Sequence, residues 1–170
     1  MPPDDDAAAI LAARSDIVTA LMTAMMRRQA RRRFHAVRLA LGSRPAVDPA
    51  AGLIVYSNHP SWWDPAMFVL LQSHVFPGRR GYGPMEEEAL TRYAVLRRIG
   101  VFGLNPDSRR GAARFLQVGR LVLQTPDTSL WVTAESAFTD PRRRPLRLRH
   151  GVAHLLHGQD NVVALPLAME

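Results

Sequence analysis

The 170-residue chain contains no cysteine and no lysine. Without cysteine there is neither a disulfide framework nor a thiolate metal site, which fits a reducing compartment. Without lysine every fixed side-chain cation is a guanidinium, and 22 arginines against 15 acidic residues give a formal net charge of +7. That balance favours anionic partners: lipid head groups, phosphates or nucleic acid. Long apolar runs are lacking too, since none approaches the roughly 20 residues needed to cross a bilayer, and no transmembrane helix is expected. The opening Met1-Pro2-Pro3-Asp4-Asp5-Asp6 has neither the basic nor the apolar region of a secretory signal, so export is not expected. No Gly-x-Ser-x-Gly pattern occurs, which excludes that form of serine nucleophile elbow.

What is present is enough apolar residue, 47% of the chain, to bury the core of one domain. Short apolar runs alternate with helical patterns, the signature of an α/β layered fold with a mostly parallel sheet flanked by helices. Strands are predicted at 52–57, 79–84, 99–104, 129–134 and 162–168, and helices at 65–74, 86–98, 108–124 and 149–157. Ahead of these, nothing breaks a helix from Ala12 to Leu41, although the arginine cluster Arg27, Arg28, Arg31, Arg32 and Arg33 could kink or split it. Gly42-Ser43-Arg44-Pro45 supplies a stop. The organisation read from this is a flexible N-terminus at 1–13, an amphipathic basic helical segment at 14–44 and an α/β domain at 45–170.

The first predicted strand runs into Ser57-Asn58-His59-Pro60-Ser61-Trp62-Trp63-Asp64-Pro65. On a regular helix a five-residue step turns about 140°, so His59 and Asp64 would face apart. Pro60 disfavours helix before it, while Asp64-Pro65 suits a helix start. The histidine then lies on the strand end or loop and the aspartate at the helix start, where a bent connection can join them. A carboxylate on one imidazole nitrogen leaves the other as a base for a hydroxyl that the substrate supplies. Alternatively, Asp64 only caps its helix and His59 satisfies a backbone group. One His and one Asp make no convincing metal site.

Other features carry paired readings. Trp62 and Trp63 could line a substrate site, dip into a lipid interface or pack inward. Arg109, Arg110 and Gly111 open a predicted helix, where an anion is favoured, or form a solvated first turn. Glu135 could hold a turn by hydrogen bonds or meet substrate. His150, His154 and His157 share one helical face, but no acidic residue joins them there, and no metal is expected. The apolar face of the 16–41 segment, followed by its arginines, suits a membrane interface with anionic lipids, against the alternative of a core-packed helix with a basic end. Those same arginines suit a nucleic-acid-binding module, but no aromatic residues interleave with them and no accompanying motif occurs.

The segment Asn58-His59-Pro60-Ser61-Trp62-Trp63-Asp64 resembles the N-H-x4-D signature of the glycerolipid acyltransferases, the lysophosphatidate acyltransferase-like enzymes. Further segments in the same order are similar to later blocks of that family: Gly103-Leu104-Asn105-Pro106-Asp107-Ser108-Arg109-Arg110-Gly111, then Leu130-Trp131-Val132-Thr133-Ala134-Glu135-Ser136, Arg149-His150-Gly151-Val152-Ala153-His154-Leu155, and Val162-Val163-Ala164-Leu165-Pro166-Leu167. The resemblance covers about residues 50 to 170. It implies His59 as general base and Asp64 as its orienting partner, with Asn58, Trp62, Trp63, Arg109, Arg110, Gly111 and Glu135 around the acceptor. It also implies an acyl thioester of coenzyme A or acyl carrier protein as donor, a lipid as acceptor, no metal or other cofactor, and a peripheral place on the cytoplasmic face of a membrane.

Two departures narrow these expectations. Where the family has F-P-E-G-T-R, this chain keeps Glu135 but carries Ala134, Ser136, Ala137 and Phe138. The arginine that relatives are thought to use on an acceptor phosphate is thus a phenylalanine, which offers no planar charged fork. Arg109, Arg110 or the Arg142-Arg143-Arg144 loop could stand in; otherwise the acceptor is less phosphate-dependent, such as a glycolipid, an isoprenoid-linked sugar or an aminolipid. The chain also stops at Met169-Glu170, where relatives continue, so a short member or a truncated one that binds lipid or thioester without catalysis is the alternative to an active enzyme.

Overall fold

The computed structural model describes residues 3–40, 42, 45–135 and 137–170. Five strands form one all-parallel sheet, β1 (Gly52–Ser57), β2 (Arg80–Glu86), β3 (Val101–Leu104), β4 (Thr128–Thr133) and β5 (Val162–Leu167), in the spatial order β3-β2-β4-β1-β5. The crossovers carry α3 (Asp64–Val75), the short α4 (Glu87–Arg92), α5 (Arg109–Gln124) and α6 (Gly151–Leu156). The fold is the α/β class that the alternating pattern predicts.

The strands are apolar because both sheet faces are covered, so successive side chains enter two different cores. On one face Ile54, Leu130, Val132 and Tyr82 pack with Val118, Val122 and Leu123 of α5 and Leu155 of α6. On the other, Leu53, Val55 and Trp131 pack with Phe68, Leu71 and Phe76 from α3 and its end. Each fully buried side chain of this kind contributes about 1.5–3 kcal/mol.

Polar bonds fix α3 on the second face. Gln72 Oε1 accepts from Ser129 Oγ at 2.5 Å and from Trp131 Nε1 at 2.6 Å, while Gln72 Nε2 donates to the Phe76 and Arg79 carbonyls, each at 2.8 Å. The helix whose first residue is Asp64 is therefore pinned to β4.

The N-terminal region departs from the single long helix expected. Residues 3–13, expected as a flexible lead, form α1 (Pro3–Ala13), whose Ala7 is buried in the first core and whose Asp6 pairs with Arg114 of α5 at 2.8 Å. A 59° bend then leads into α2 (Asp16–Arg33). The break lies at Arg14-Ser15 and not at the arginine cluster, because Ser15 is extended, accepts from the Val18 N–H, and gives its own N–H to the Arg98 carbonyl at 2.8 Å. The α2 helix ends at Arg33 and not at Leu41, because Phe34 leaves the helix to set its ring edge-on against Trp63, 5.0 Å between centroids. Gly42 does take the left-handed conformation, φ 80, that suits a stop, whereas Leu41, Ser43, Arg44 and Ser136 lie outside the described residues.

The helix predicted at 86–98 is likewise two pieces, α4 and a 3₁₀ turn at Ala94–Ile99, parted at Tyr93. Gly100, at φ 95, ends the turn, so β3 starts at Val101 instead of residue 99.

Candidate active site

The carboxyl ends of β1, β4 and β5 stand level, with Ser57 opposite both Thr133 and Leu167. Open α/β sheets place their ligands at such ends. Beyond Ser57 the chain leaves the sheet through Asn58-His59-Pro60 and re-enters regular structure at Asp64, the first residue of α3. Pro65 sits in the first turn, where its missing N–H costs nothing.

This bent connection joins the two residues that a straight helix would separate. His59 Nδ1 lies 2.6 Å from Asp64 Oδ2. Asp64 is 2% exposed, and the same Oδ2 accepts from the Ser61 N–H at 3.3 Å. A carboxylate that accepts from Nδ1 fixes the ring's tautomer and turns Nε2 outward as a base.

Glu135, buried just past β4, accepts from the His59 N–H on Oε2 at 2.9 Å. The Thr139 N–H donates to the His59 carbonyl, also at 2.9 Å. Both backbone polar groups of His59 are thus held by the chain that follows β4. Asn58 is tied to the end of the chain by its amide: Nδ2 donates to the Met169 carbonyl at 2.7 Å, and Oδ1 accepts from the Met169 N–H at 2.8 Å.

The two tryptophans divide their roles. Trp63 is half-buried between Phe34 and Trp62, whereas Trp62 is 70% exposed and stacks on Trp63 at 4.6 Å. With Met26, Gln29, Arg33 and Ala66 they line a groove of about 520 Å³ between α2 and the start of α3. Neither tryptophan enters the sheet core.

Arg109 and Arg110 are exposed at the start of α5, and nothing among the described residues bonds them to the His59–Asp64 pair. The Gly111 N–H is taken by Ser108 Oγ at 2.9 Å, and a Cβ at Gly111 would overlap the Asn105 carbonyl oxygen, so this glycine is required by the turn itself. The turn joins the loop after β4 through Arg149, which donates to the Pro106 carbonyl and to Asp107 Oδ1, both at 2.7 Å, and whose N–H meets the Ala134 carbonyl. Among the described residues no three His, Asp or Glu side chains gather as metal ligands.

One neighbour of the pair was not in the predicted set. Phe138 lies against the His59 ring, centroids 4.4 Å apart and planes at 40°. Only the fold shows that this ring meets the imidazole. No protein-family model matches the chain, and no curated protein matches it.

Proposed function

We propose that this chain is a membrane-peripheral acyltransferase of the lysophosphatidate acyltransferase-like kind, moving a fatty acyl group from a coenzyme A or acyl carrier protein thioester to a hydroxyl or amine of a lipid acceptor. The single observation that carries the reading is the 2.6 Å contact between His59 Nδ1 and the buried Asp64 carboxylate at the carboxyl end of β1. In this reading His59 Nε2 takes the acceptor proton as the acceptor oxygen or nitrogen attacks the thioester carbonyl carbon. The carbon–sulfur bond then breaks, and the thiolate leaves with the proton that His59 returns. Asp64 holds the imidazole throughout and stabilises its protonated form.

A membrane location draws support from α2. Ile17, Leu21 and Met25 form an exposed row at four-residue spacing, and Arg27, Arg28, Arg31 and Arg32 continue the exposed side over the last turns. Such a surface suits the interface of an anionic bilayer. No single helix among the described residues is long and apolar enough to cross a membrane. The groove beside Trp62 and Trp63 gives an alkyl chain an apolar bed next to the catalytic turn.

The test is a screen of the purified chain with acyl-coenzyme A and acyl carrier protein donors and a panel of lipid alcohols and amines, read by mass spectrometry. Wild type is expected to form an acylated lipid. His59→Ala and Asp64→Asn are expected to lower turnover by about 10²- to 10⁴-fold with folding retained. Normal turnover by His59→Ala would refute the mechanism. Salt-sensitive retention on DNA, without retention on anionic vesicles, would replace the reading by a nucleic-acid-binding one.

A further inference from the structure

The His59 imidazole lies between two side chains of opposite character. Asp64 holds its Nδ1, and Phe138 covers part of its face. Phe138 is 64% exposed, so its ring does not serve a core. Its place is nonetheless built. The Thr139 N–H is bonded to the His59 carbonyl, and the next residue, Asp140, is forked by Arg142 through Nε at 3.0 Å and a terminal nitrogen at 2.9 Å. An apolar ring is thereby set beside the imidazole while most of its surface stays open to a ligand.

An acceptor atom bonded to His59 Nε2 sits about 2.8 Å from it. The groups next to the carbon that bears this atom come within reach of the Phe138 ring, whose centroid is 4.4 Å from that of the imidazole. A phosphate there would gain no donor from the ring, and would approach the negative face of an aromatic quadrupole. Carbon–hydrogen groups are favoured in its place. Three arginines of this region have partners elsewhere: Arg142 holds Asp140, Arg144 donates to the Pro141 and Arg143 carbonyls, and Arg149 holds the Asn105–Gly111 turn, while the exposed Arg143 and Arg147 are bonded neither to His59 nor to Asp64.

We propose that Phe138 is a specificity-determining wall that selects an uncharged acceptor, a lipid alcohol whose carbon skeleton lies on the ring with no anionic group beside the reacting hydroxyl. This rests on the acyltransferase reading of His59 and names the acceptor class for that same site.

The experiment compares 1-monoacylglycerol with lysophosphatidate, two acceptors of the same acyl chain that differ by one phosphate. It uses the full-length chain and its Phe138→Arg, Phe138→Leu and Phe138→Ala variants, and reads kcat/KM by product mass and affinity by tryptophan fluorescence below the lipids' micellar concentrations. Wild type is expected to favour monoacylglycerol by about 10-fold or more in both readouts. Phe138→Leu keeps that order because it keeps the wall apolar, Phe138→Ala narrows it, and Phe138→Arg reverses it. A wild type that prefers lysophosphatidate, or a preference that Phe138→Arg leaves unchanged, overturns the proposal. The two readings separate cleanly. Absence of transfer to any acceptor, with the binding order intact and reversed by Phe138→Arg, sinks the acyltransferase reading and keeps the wall. Transfer with an unmoved preference sinks the wall alone.

Discussion

Replacing Glu135 tests whether the His59–Asp64 turn is held by its backbone as well as by its ring. The Glu135 carboxylate is buried and accepts the His59 N–H at 2.9 Å, while the neighbouring Ala134 N–H extends the sheet bond to the Ser57 carbonyl at 2.8 Å. Glu135→Ala leaves the His59 N–H without its charged acceptor. A hydrogen bond to a charged group contributes about 1.5–3 kcal/mol. For a domain of this size each kcal/mol moves the melting temperature by about 2–4 °C, so a fall of roughly 3–12 °C is expected. Turnover should fall with it, because a displacement of about 1 Å at a reacting group can cost about 10²-fold. Glu135→Gln keeps a carbonyl oxygen for the same N–H and should recover most of both losses. Calorimetry and the acyl-transfer assay are run on both variants together with wild type. If Glu135→Ala melts and turns over like wild type, the bond contributes nothing and the reasoning fails. If Glu135→Gln is as damaged as Glu135→Ala, the charge itself and not the backbone bond is what the site needs.

Other perturbations probe the scaffold. Gln72→Leu removes the acceptor of Ser129 Oγ and Trp131 Nε1, and urea unfolding should show a loss of about 2–5 kcal/mol; a change within about 0.5 kcal/mol would show that α3 is not pinned this way. Burial pushes the Tyr82 phenol above its usual range, with Arg80 and Arg14 pulling partly against it. The unfolded chain therefore releases this proton first, and folding stability should decline as pH rises past about 10. Tyr82→Phe should flatten that decline while losing about 0.5–1.5 kcal/mol at neutral pH, from the bond to the Leu11 carbonyl; an equally steep alkaline decline in the variant would count against this assignment. Arg142 holds the Asp140 carboxyl down to about 2, chiefly by its side-chain hydrogen bonds. This contribution is complete above the ordinary carboxylate range and disappears only as pH falls through that value, so a carboxyl-carbon NMR titration should find Asp140 still ionised at pH 3 (about one unit above its midpoint) and, in Arg142→Ala, protonating within the ordinary carboxylate range.

The sheet was legible chiefly through β1 and β5, short apolar runs closed by polar turns, and β1 falls on the residues predicted, Gly52–Ser57. The His59–Asp64 pair stood out through the resemblance of Asn58–Asp64 to the N-H-x4-D signature, since the spacing alone suits a capped turn as well, and the proline-bracketed turn explains why the two meet. The α1–α2 break was readable in principle, since Ser15 before Asp16 is an N-cap signal inside an apolar pattern, but the pattern masked it. The end of α2 was not readable, because it depends on the Phe34–Trp63 contact between residues far apart in sequence. The same holds for Asn58 with Met169 and for Phe138 with His59: local chemistry gives no register between segments that only the folded sheet brings together.

The spatial order of the strands also sets an order in time. β1 has β4 and β5 as its neighbours in the sheet, and neither precedes it in the chain. The turn that follows it borrows one hydrogen-bond partner 76 residues downstream and another 111 residues downstream. A ribosome releases the chain from its N-terminus, so His59 and Asp64 emerge long before the residues that complete their surroundings. Contacts of such sequence separation close slowly, and the apolar β1 segment waits without sheet partners in the meantime. The site is consequently among the last parts of the molecule able to assemble, and a nascent chain halted before β5 should carry the dyad without a finished turn to hold it.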